Sequence, residues 1–90
     1  MTKTEYLNLN KQLNNLIKYM RTHHEIIDYY ADYKMEECGY MVPRGLVVAC
    51  DMDTLNKLNS HAKRYYPDMS ISEMGVATCI MHMNKPYKGN

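Results

Sequence analysis

The chain has 90 residues, with 11 lysines and arginines against 10 acidic residues, and its formal net charge at pH 7 is +1. A charge so close to zero excludes a strong overall field toward nucleic acid or anionic lipid, so any such binding requires a local patch. Three cysteines without paired spacing, no secretory leader and no long apolar span predict a reduced cytoplasmic protein that does not contact a membrane.

The first segment, residues 6–35, has the spacing of an amphipathic helix. Its length exceeds that of most globular helices, so either one helix or a helical hairpin with a break near residues 21–24 is predicted. Gly39 follows as a helix stop, and residues 1–40 are predicted to form an N-terminal helical extension. The predicted apolar face consists of Leu9, Leu13, Leu16, Ile17, Met20, His24, Ile27, Ala31 and Met35.

A short strand and a helix are predicted next. Residues 46–50 are apolar and rich in β-branched side chains, at strand length. The acidic residues after them are typical of a helix N-terminus, and Pro67 ends the helix. The predicted buried face of this helix is Leu55, Leu58, Ala62 and Tyr65.

A second short helix is predicted from Ser70. Ser70 and Glu73 have the spacing of a capping box, in which the hydroxyl accepts from the third amide and the carboxylate reaches back. Gly75 would then lie inside this helix, at a cost of up to ~1 kcal/mol relative to alanine. Residues 85–90 are predicted to be a mobile tail.

Strand, capped helix, break and capped helix over residues 41–84 resemble the ribbon-helix-helix repressors of the Arc, MetJ and CopG group. The resemblance implies a mainly α fold with one short strand per chain, in which two chains form a homodimer by pairing their strands antiparallel. The N-terminal amphipathic helix or helical hairpin would precede this ribbon-helix-helix dimer. The turn before Ser70 departs from the family because it lacks the usual glycine.

The resemblance also implies a DNA-binding ribbon. With Leu46, Val48 and Cys50 facing inward, Val47 and Ala49 would point toward the major groove, with Arg44 at the edge. Two apolar side chains can contact only thymine methyl groups, which argues against ordinary base-specific recognition. The alternative is a buried dimer seam that the N-terminal helix or a partner covers.

Further DNA contacts are predicted on the two helices of the unit. The entry of the second helix could hold a phosphate through free amides, although an ordinary N-cap explains the same residues. The polar face of the first helix could contact phosphates, or it could simply be solvated. The residues concerned are Lys57, Lys63, Arg64, Ser70 and Ser72.

Metal binding and catalysis have little support in the sequence. His24 with Asp28, Asp28 with Asp32, and Cys79 with His82 are pairs at helical spacing, whereas a metal site needs three or four converging ligands. No nucleophile stands beside an evident base, and no glycine-rich phosphate loop is present. Neither a metal, a cofactor nor an enzymatic activity is predicted.

Tyrosines interleaved with acids after residue 27 suggest a protein-binding surface, because tyrosine is favoured in interface cores. The same rings could equally build the core of a chain that has no Phe or Trp. The predicted partner residues are Asp28, Tyr29, Tyr30, Asp32 and Tyr33.

Two functions therefore follow from the sequence. The first is a homodimeric ribbon-helix-helix transcriptional regulator of phage or plasmid type that binds a DNA duplex. The second is a small protein-binding inhibitor or adaptor, of the kind that phages use against host defences, built on the same dimer without DNA.

Overall fold

The computed structural model describes residues 1–36 and 39–83, except for the side chains of Cys79, His82 and Met83. The three strands form one sheet in the order β1-β2-β3, with β1 antiparallel and β3 parallel to the central strand β2. In chain order the elements are α1 (Lys3–His23), β1 (Asp28–Met35), β2 (Met41–Ala49), α2 (Met52–Tyr65), β3 (Ser70–Glu73) and α3 (Val76–Met83).

One hydrophobic core lies between the sheet and two helices. Helix α1 packs on β2 and α2 packs on β3. Both helices bury their apolar faces against the same side of the sheet, so the molecule has one helical layer and one sheet layer. The core residues are Leu13, Leu16 and Met20 from α1, Leu55, Leu58 and Ala62 from α2, and Leu46, Val48, Met69 and Ile71 from the sheet and its approach.

The helix α2 begins and ends where its sequence indicates. The Asp51 carboxylate accepts from the Thr54 amide at 2.7 Å, which satisfies one of the open donors of the first turn. This hydrogen bond is the main cause that lowers the pKa of Asp51 from its ordinary value. The predicted break at Pro67 is confirmed, because α2 ends at Tyr65 and a turn follows in which the Met69 amide donates to the Tyr66 carbonyl at 2.9 Å.

The predicted fold class is wrong. A ribbon-helix-helix chain contributes one short strand that pairs with a second chain, whereas this chain has a three-stranded mixed sheet of its own. Residues 46–49 of the strand predicted at 46–50 lie in β2, which begins earlier, at Met41, and ends at Ala49, and both edges of β2 are already hydrogen-bonded to β1 and β3. It therefore has no free edge with which to form an intermolecular ribbon.

The helix predicted through residue 35 is also wrong in its second half. Helix α1 ends at His23, near the predicted break, but residues 28–35 form β1 rather than a second helix. Ile27, Ala31 and Met35 fit helical spacing, yet the same segment places Tyr29 and Ala31 on one face with a period of two. Tyrosine-rich segments favour a pleated, half-buried strand, and pairing with β2 satisfies the backbone.

The second helix predicted from Ser70 is replaced by strand β3. Ile71 is buried between exposed Ser70 and Ser72, which is the alternation of a strand rather than a capping box. As a strand, this segment buries the Ile71 side chain in the core. Its pairing with β2 also provides hydrogen-bond partners for backbone groups of both strands. Gly75 precedes α3 instead of lying inside a helix.

No helix within the described part of the chain is long and apolar enough to cross a membrane. The predicted tail, residues 85–90, lies outside the described residues.

Candidate nucleic-acid interface

A cluster of rings joins the C-terminal half of α1 to α2, and it is called the aromatic–histidine cluster below. Tyr19 stacks on His61 with ring centres 3.5 Å apart and planes almost parallel, at 1°. His23 stacks on Tyr19 at 4.4 Å, and His24 meets the same ring edge-on at 5.8 Å. On the α2 side, the His61 ring lies 4.7 Å from that of Tyr65.

The cluster follows from helical spacing within each helix. Tyr19 and His23 are four residues apart on α1, as are His61 and Tyr65 on α2, so each pair shares one helix face. Because the two helices lie in one layer over the sheet, these faces meet along their common border. The cluster is therefore fixed by the core beneath it.

The electrostatics of the cluster disfavour protonation of its central imidazole. The pKa of His61 lies below its ordinary value, first because of desolvation and then because of the nearby His23 and His24. No acidic group is among the causes that shift the pKa of His61. An anion placed beside this ring would favour its protonated form.

Cationic side chains flank the cluster on α2. The Arg64 guanidinium lies 5.4 Å from the ring centre of Tyr65, a cation–π arrangement. The Lys57 ammonium pairs with Asp53 at 3.0 Å, and this pairing raises the pKa of Lys57. A shallow groove of about 460 Å³ runs past Tyr19, Lys57, Ser60, His61, Arg64 and Tyr65.

Charge is strongly segregated between the helices and the remainder of the molecule. Of the nine lysines and arginines in the described residues, seven belong to α1 and α2, which contain only two acids, Glu5 and Asp53. The near-zero net charge therefore conceals a basic helical layer. This local excess is the kind of patch that phosphate binding requires.

The residues predicted to form a DNA-reading ribbon are not arranged as one. Ala49 is buried and Val47 is half-buried in the central strand. Arg44 is exposed at an irregularity of the β1–β2 ladder, and its Nε lies 3.4 Å from an Asp32 carboxylate oxygen. The ribbon contact is therefore not available in the predicted form.

The other predicted phosphate contacts separate into two groups. Ser70 and Ser72 lie on β3, so no helix N-terminus is present to hold a phosphate, and the Ser70 hydroxyl donates to the Arg44 carbonyl at 3.2 Å. Lys57, Lys63 and Arg64 are exposed on α2, and Lys57 and Arg64 border the aromatic–histidine cluster.

The predicted partner residues all lie on β1, the outer strand of the sheet, rather than on a helix. Tyr30 and Tyr33 are exposed, whereas Asp28, Tyr29 and Asp32 are half-buried. The Asp28 carboxylate accepts from the Tyr29 amide at 2.8 Å. These residues share a strand, in which Tyr29 lies on the face opposite to that of Asp28, Tyr30 and Asp32, and Tyr33 follows an irregularity of the β1–β2 ladder.

Tyr19 and His61 were not among the predicted site residues. The signal was present in part, because each lies four residues before another ring on its own helix. Their meeting depends on how α1 and α2 pack, which single-helix periodicity does not encode.

An apolar groove of about 450 Å³ lies at the opposite end of α1. It is lined mainly by Met1, Tyr6, Leu7, Tyr40 and Val42, and the rings of Tyr6 and Tyr40 lie 5.9 Å apart. Leu7 and Tyr40 are 55% and 64% exposed, so the groove presents apolar surface to the solvent.

Metal ligands do not converge in the part of the chain described: no group of three or more His, Cys, Asp or Glu there could hold an ion. The Cys79 and His82 side chains lie outside the described part. In comparisons with known proteins, no family model, curated protein or solved structure matches the chain.

Proposed function

We propose that this protein binds single-stranded nucleic acid through the basic layer formed by α1 and α2. The observation that carries the proposal is the segregation of seven cationic residues onto these helices, next to an exposed aromatic ring. Nucleic-acid binding therefore remains the first candidate function. The proposed surface is the helical layer instead of the ribbon, and the proposed ligand is a single strand instead of a duplex.

The contacts can be assigned from the geometry of α2. Tyr65 is 56% exposed, and one face of its ring can accept an unpaired base. Arg64 lies beside that ring and can bind the adjoining phosphate. Lys63 is exposed one residue earlier and supplies a further phosphate contact.

A single strand suits this surface better than a duplex. Stacking on Tyr65 requires an unpaired base, since the bases of a duplex already stack on one another. No described strand or helix presents the base-reading row that the ribbon hypothesis required. Affinity should then depend on salt and only weakly on sequence.

The first prediction concerns this α2 surface. Tyr65→Ala should weaken binding of a short single-stranded oligonucleotide by about 1–3 kcal/mol, the usual worth of one stacked base. Arg64→Ala should weaken binding and also flatten the dependence of affinity on salt, because one phosphate contact is lost. Fluorescence anisotropy at two salt concentrations measures both effects.

Lys34→Ala is the matched control, because Lys34 is an exposed cation on β1, outside the helical layer. It should leave the affinity unchanged. Equal losses from all three variants would indicate nonspecific charge effects, and no binding by the unsubstituted protein at low salt would overturn the proposed function.

The second prediction is a dependence on pH. Because the folded-state pKa of His61 is depressed, the unfolded chain takes up this proton more readily, and the unliganded protein should lose stability as pH falls through about 6.5. Oligonucleotide affinity should change in the opposite direction and rise as pH falls, since bound phosphate favours the protonated form of His61.

His61→Gln should reduce both pH dependences. Thermal unfolding measures the first and anisotropy the second, each about one pH unit above and below the ordinary histidine pKa of about 6.5. An affinity that does not change over this interval would show that phosphates bind away from the cluster.

The second candidate function is a protein-binding inhibitor or adaptor, and the apolar groove beside Leu7 and Tyr40 favours it. Exposed apolar surface of this kind is typical of protein interaction sites. Leu7→Ser, which removes apolar surface without changing the charge of α1, should abolish capture of a protein partner while leaving oligonucleotide binding unchanged. Capture that persists in Leu7→Ser would show that the groove is not the protein-binding site.

A further inference from the structure

Helix α3 turns apolar side chains toward the solvent. Val76, Ile80 and Met81 are 78%, 52% and 72% exposed, and Ala77 is exposed as well. These four positions recur at three- and four-residue steps, so they form one stripe along the helix. Thr78, on the opposite side of the helix, is half-buried. The helix is therefore amphipathic, with its apolar side outward.

A helix of this length and composition depends on packing. Isolated short helices are marginal in water, because most helical stability in proteins comes from burial of an apolar face. Helix α3 has eight residues, and none of them is Asp, Glu, Lys or Arg. Its apolar stripe is therefore expected to pack against a further surface.

The apolar groove at the N-terminal end of α1 is suited to such a stripe. Leu7 and Tyr40 in its lining are 55% and 64% exposed. Of the described side chains that line it, only Lys3 and Glu36 are charged, and their charges are opposite in sign. Grooves of this kind accept helices whose apolar residues recur at three- and four-residue steps. An uncharged helix such as α3 matches both the shape and the charge of the groove.

A single chain does not bring these two surfaces together. The groove includes Val42, near the start of β2. Helix α3 follows the end of β3, where Glu73 is the ladder partner of Val48. Val42 and Val48 are separated by roughly 20 Å of strand, whereas an eight-residue helix is about 12 Å long. No described residue of α3 lines the groove, so an α3 helix in the groove must come from another molecule.

We propose that two copies of this chain form a dimer in which α3 of each copy binds in the groove of the other. The two surfaces lie toward opposite ends of β2, so a two-fold axis perpendicular to this strand places each α3 beside the groove of the second copy. The two contacts are then identical, and the assembly closes as a dimer instead of extending as a fibre. Two contacts also double the buried area, toward the roughly 1,600 Å² that specific interfaces bury in total.

The dimer uses neither Arg64 nor Tyr65, so its formation does not depend on the proposed binding of nucleic acid. It does occupy the apolar groove. Another protein that binds there would have to displace α3 of the second copy.

Removing one apolar side chain from each surface tests the exchange. Leu7→Ser in the groove and Ile80→Ser in α3 should each weaken dimerisation at least about tenfold, because each variant loses two buried aliphatic side chains per dimer. Sedimentation equilibrium from micromolar to millimolar protein, in reducing buffer, measures the dissociation constant. Met52→Ser is the matched control: Met52 is 59% exposed on α2, outside both surfaces, and its replacement should leave the dimer intact.

Mixing the two weakened variants distinguishes the exchange from other pairings. One Leu7→Ser chain and one Ile80→Ser chain retain one undamaged contact, between α3 of the first and the groove of the second. The mixture should therefore dimerise more tightly than either variant alone. Pairing of α3 with α3 would leave Leu7→Ser unaffected, and pairing of groove with groove would leave Ile80→Ser unaffected. Either result would overturn the proposed exchange.

A monomeric unsubstituted protein throughout the concentration range would also overturn the dimer. Both substituted side chains are exposed in the single chain, so the variants should keep the circular dichroism spectrum of the unsubstituted protein, and Met81→Ser provides a second variant of the stripe. Oligonucleotide binding by a monomer would leave the proposed function standing while removing the dimer. A dimer that does not bind oligonucleotide would do the reverse.

Discussion

Replacing Gly45 by alanine is expected to disrupt the pairing of β2 with β3. Gly45 lies opposite Ser70 in the parallel ladder, and an added Cβ would overlap the Ser70 carbonyl oxygen. The obstacle is backbone rather than a flexible side-chain end, so β3 must move away from β2. That movement also withdraws Ile71 from the core.

The expected loss of stability in Gly45→Ala has two contributions, overpacking and separation of β3 from β2. Overpacking alone costs ~1–3 kcal/mol, and separation of the strands adds lost hydrogen bonds and lost apolar burial. Domains of this size are stable by only ~5–15 kcal/mol. A large fall in the urea midpoint of unfolding is therefore expected for Gly45→Ala.

Gly75→Ala is the matched control for the same chemical change. A Cβ at Gly75 would have only the Thr78 hydroxyl oxygen within reach, at 4.0 Å, and Gly75 has no positive φ. This variant should unfold close to the unsubstituted protein. Equal stability of the Gly45 and Gly75 variants would contradict the close approach of β2 and β3.

The second large effect is expected from Leu58→Ala. Leu58 is 0% exposed, on the buried face of α2, and truncation of such a leucine usually costs about 2–5 kcal/mol because a cavity remains. That loss is a large fraction of the total stability, so partial unfolding at physiological temperature is expected. Calorimetric or denaturant unfolding measures the change.

Leu7→Ala makes the same truncation at a site that is 55% exposed. Little apolar area is removed from a packed environment there, so the expected change is within about 0.5 kcal/mol. If Leu58→Ala were as mild as Leu7→Ala, the two-layer core as described would be incorrect.

Local sequence signals located the helices that have strong amphipathic faces. Leu13, Leu16 and Met20 mark the buried side of α1, and Leu55, Leu58 and Ala62 mark that of α2. In both helices the apolar residues recur at three and four positions, and Asp51 identifies the start of α2. These features depend only on neighbours along the chain.

Local sequence does not determine the strands, because short apolar runs fit both the helical and the strand period. Ala31 satisfies both the helical spacing and the alternation observed in β1. Ser70 and Glu73 fit a capping box, yet β2 offers an open edge where Ile71 can be buried. Tertiary hydrogen bonding therefore decided between two locally acceptable structures.

In the candidate site, too, some features follow from local sequence and others only from tertiary packing. The sequence indicated Lys57, Lys63 and Arg64 as a mildly basic face, and the structure joins Lys57 and Arg64 to the rings of Tyr19 and His61. Those two rings come from positions 42 residues apart in the chain. Only the side-by-side packing of α1 and α2 brings them together.

By itself, the sequence determined a small chain of near-neutral charge with two amphipathic helices, a strand that includes residues 46–49 and a break at Pro67. The tertiary structure alone decided that β2 is a central strand, that residues 28–35 and 70–73 are its neighbours, and that seven of the nine described cationic residues lie in one helical layer. The physical reason is that a strand gains its hydrogen bonds from distant segments, whereas a helix satisfies its backbone within itself.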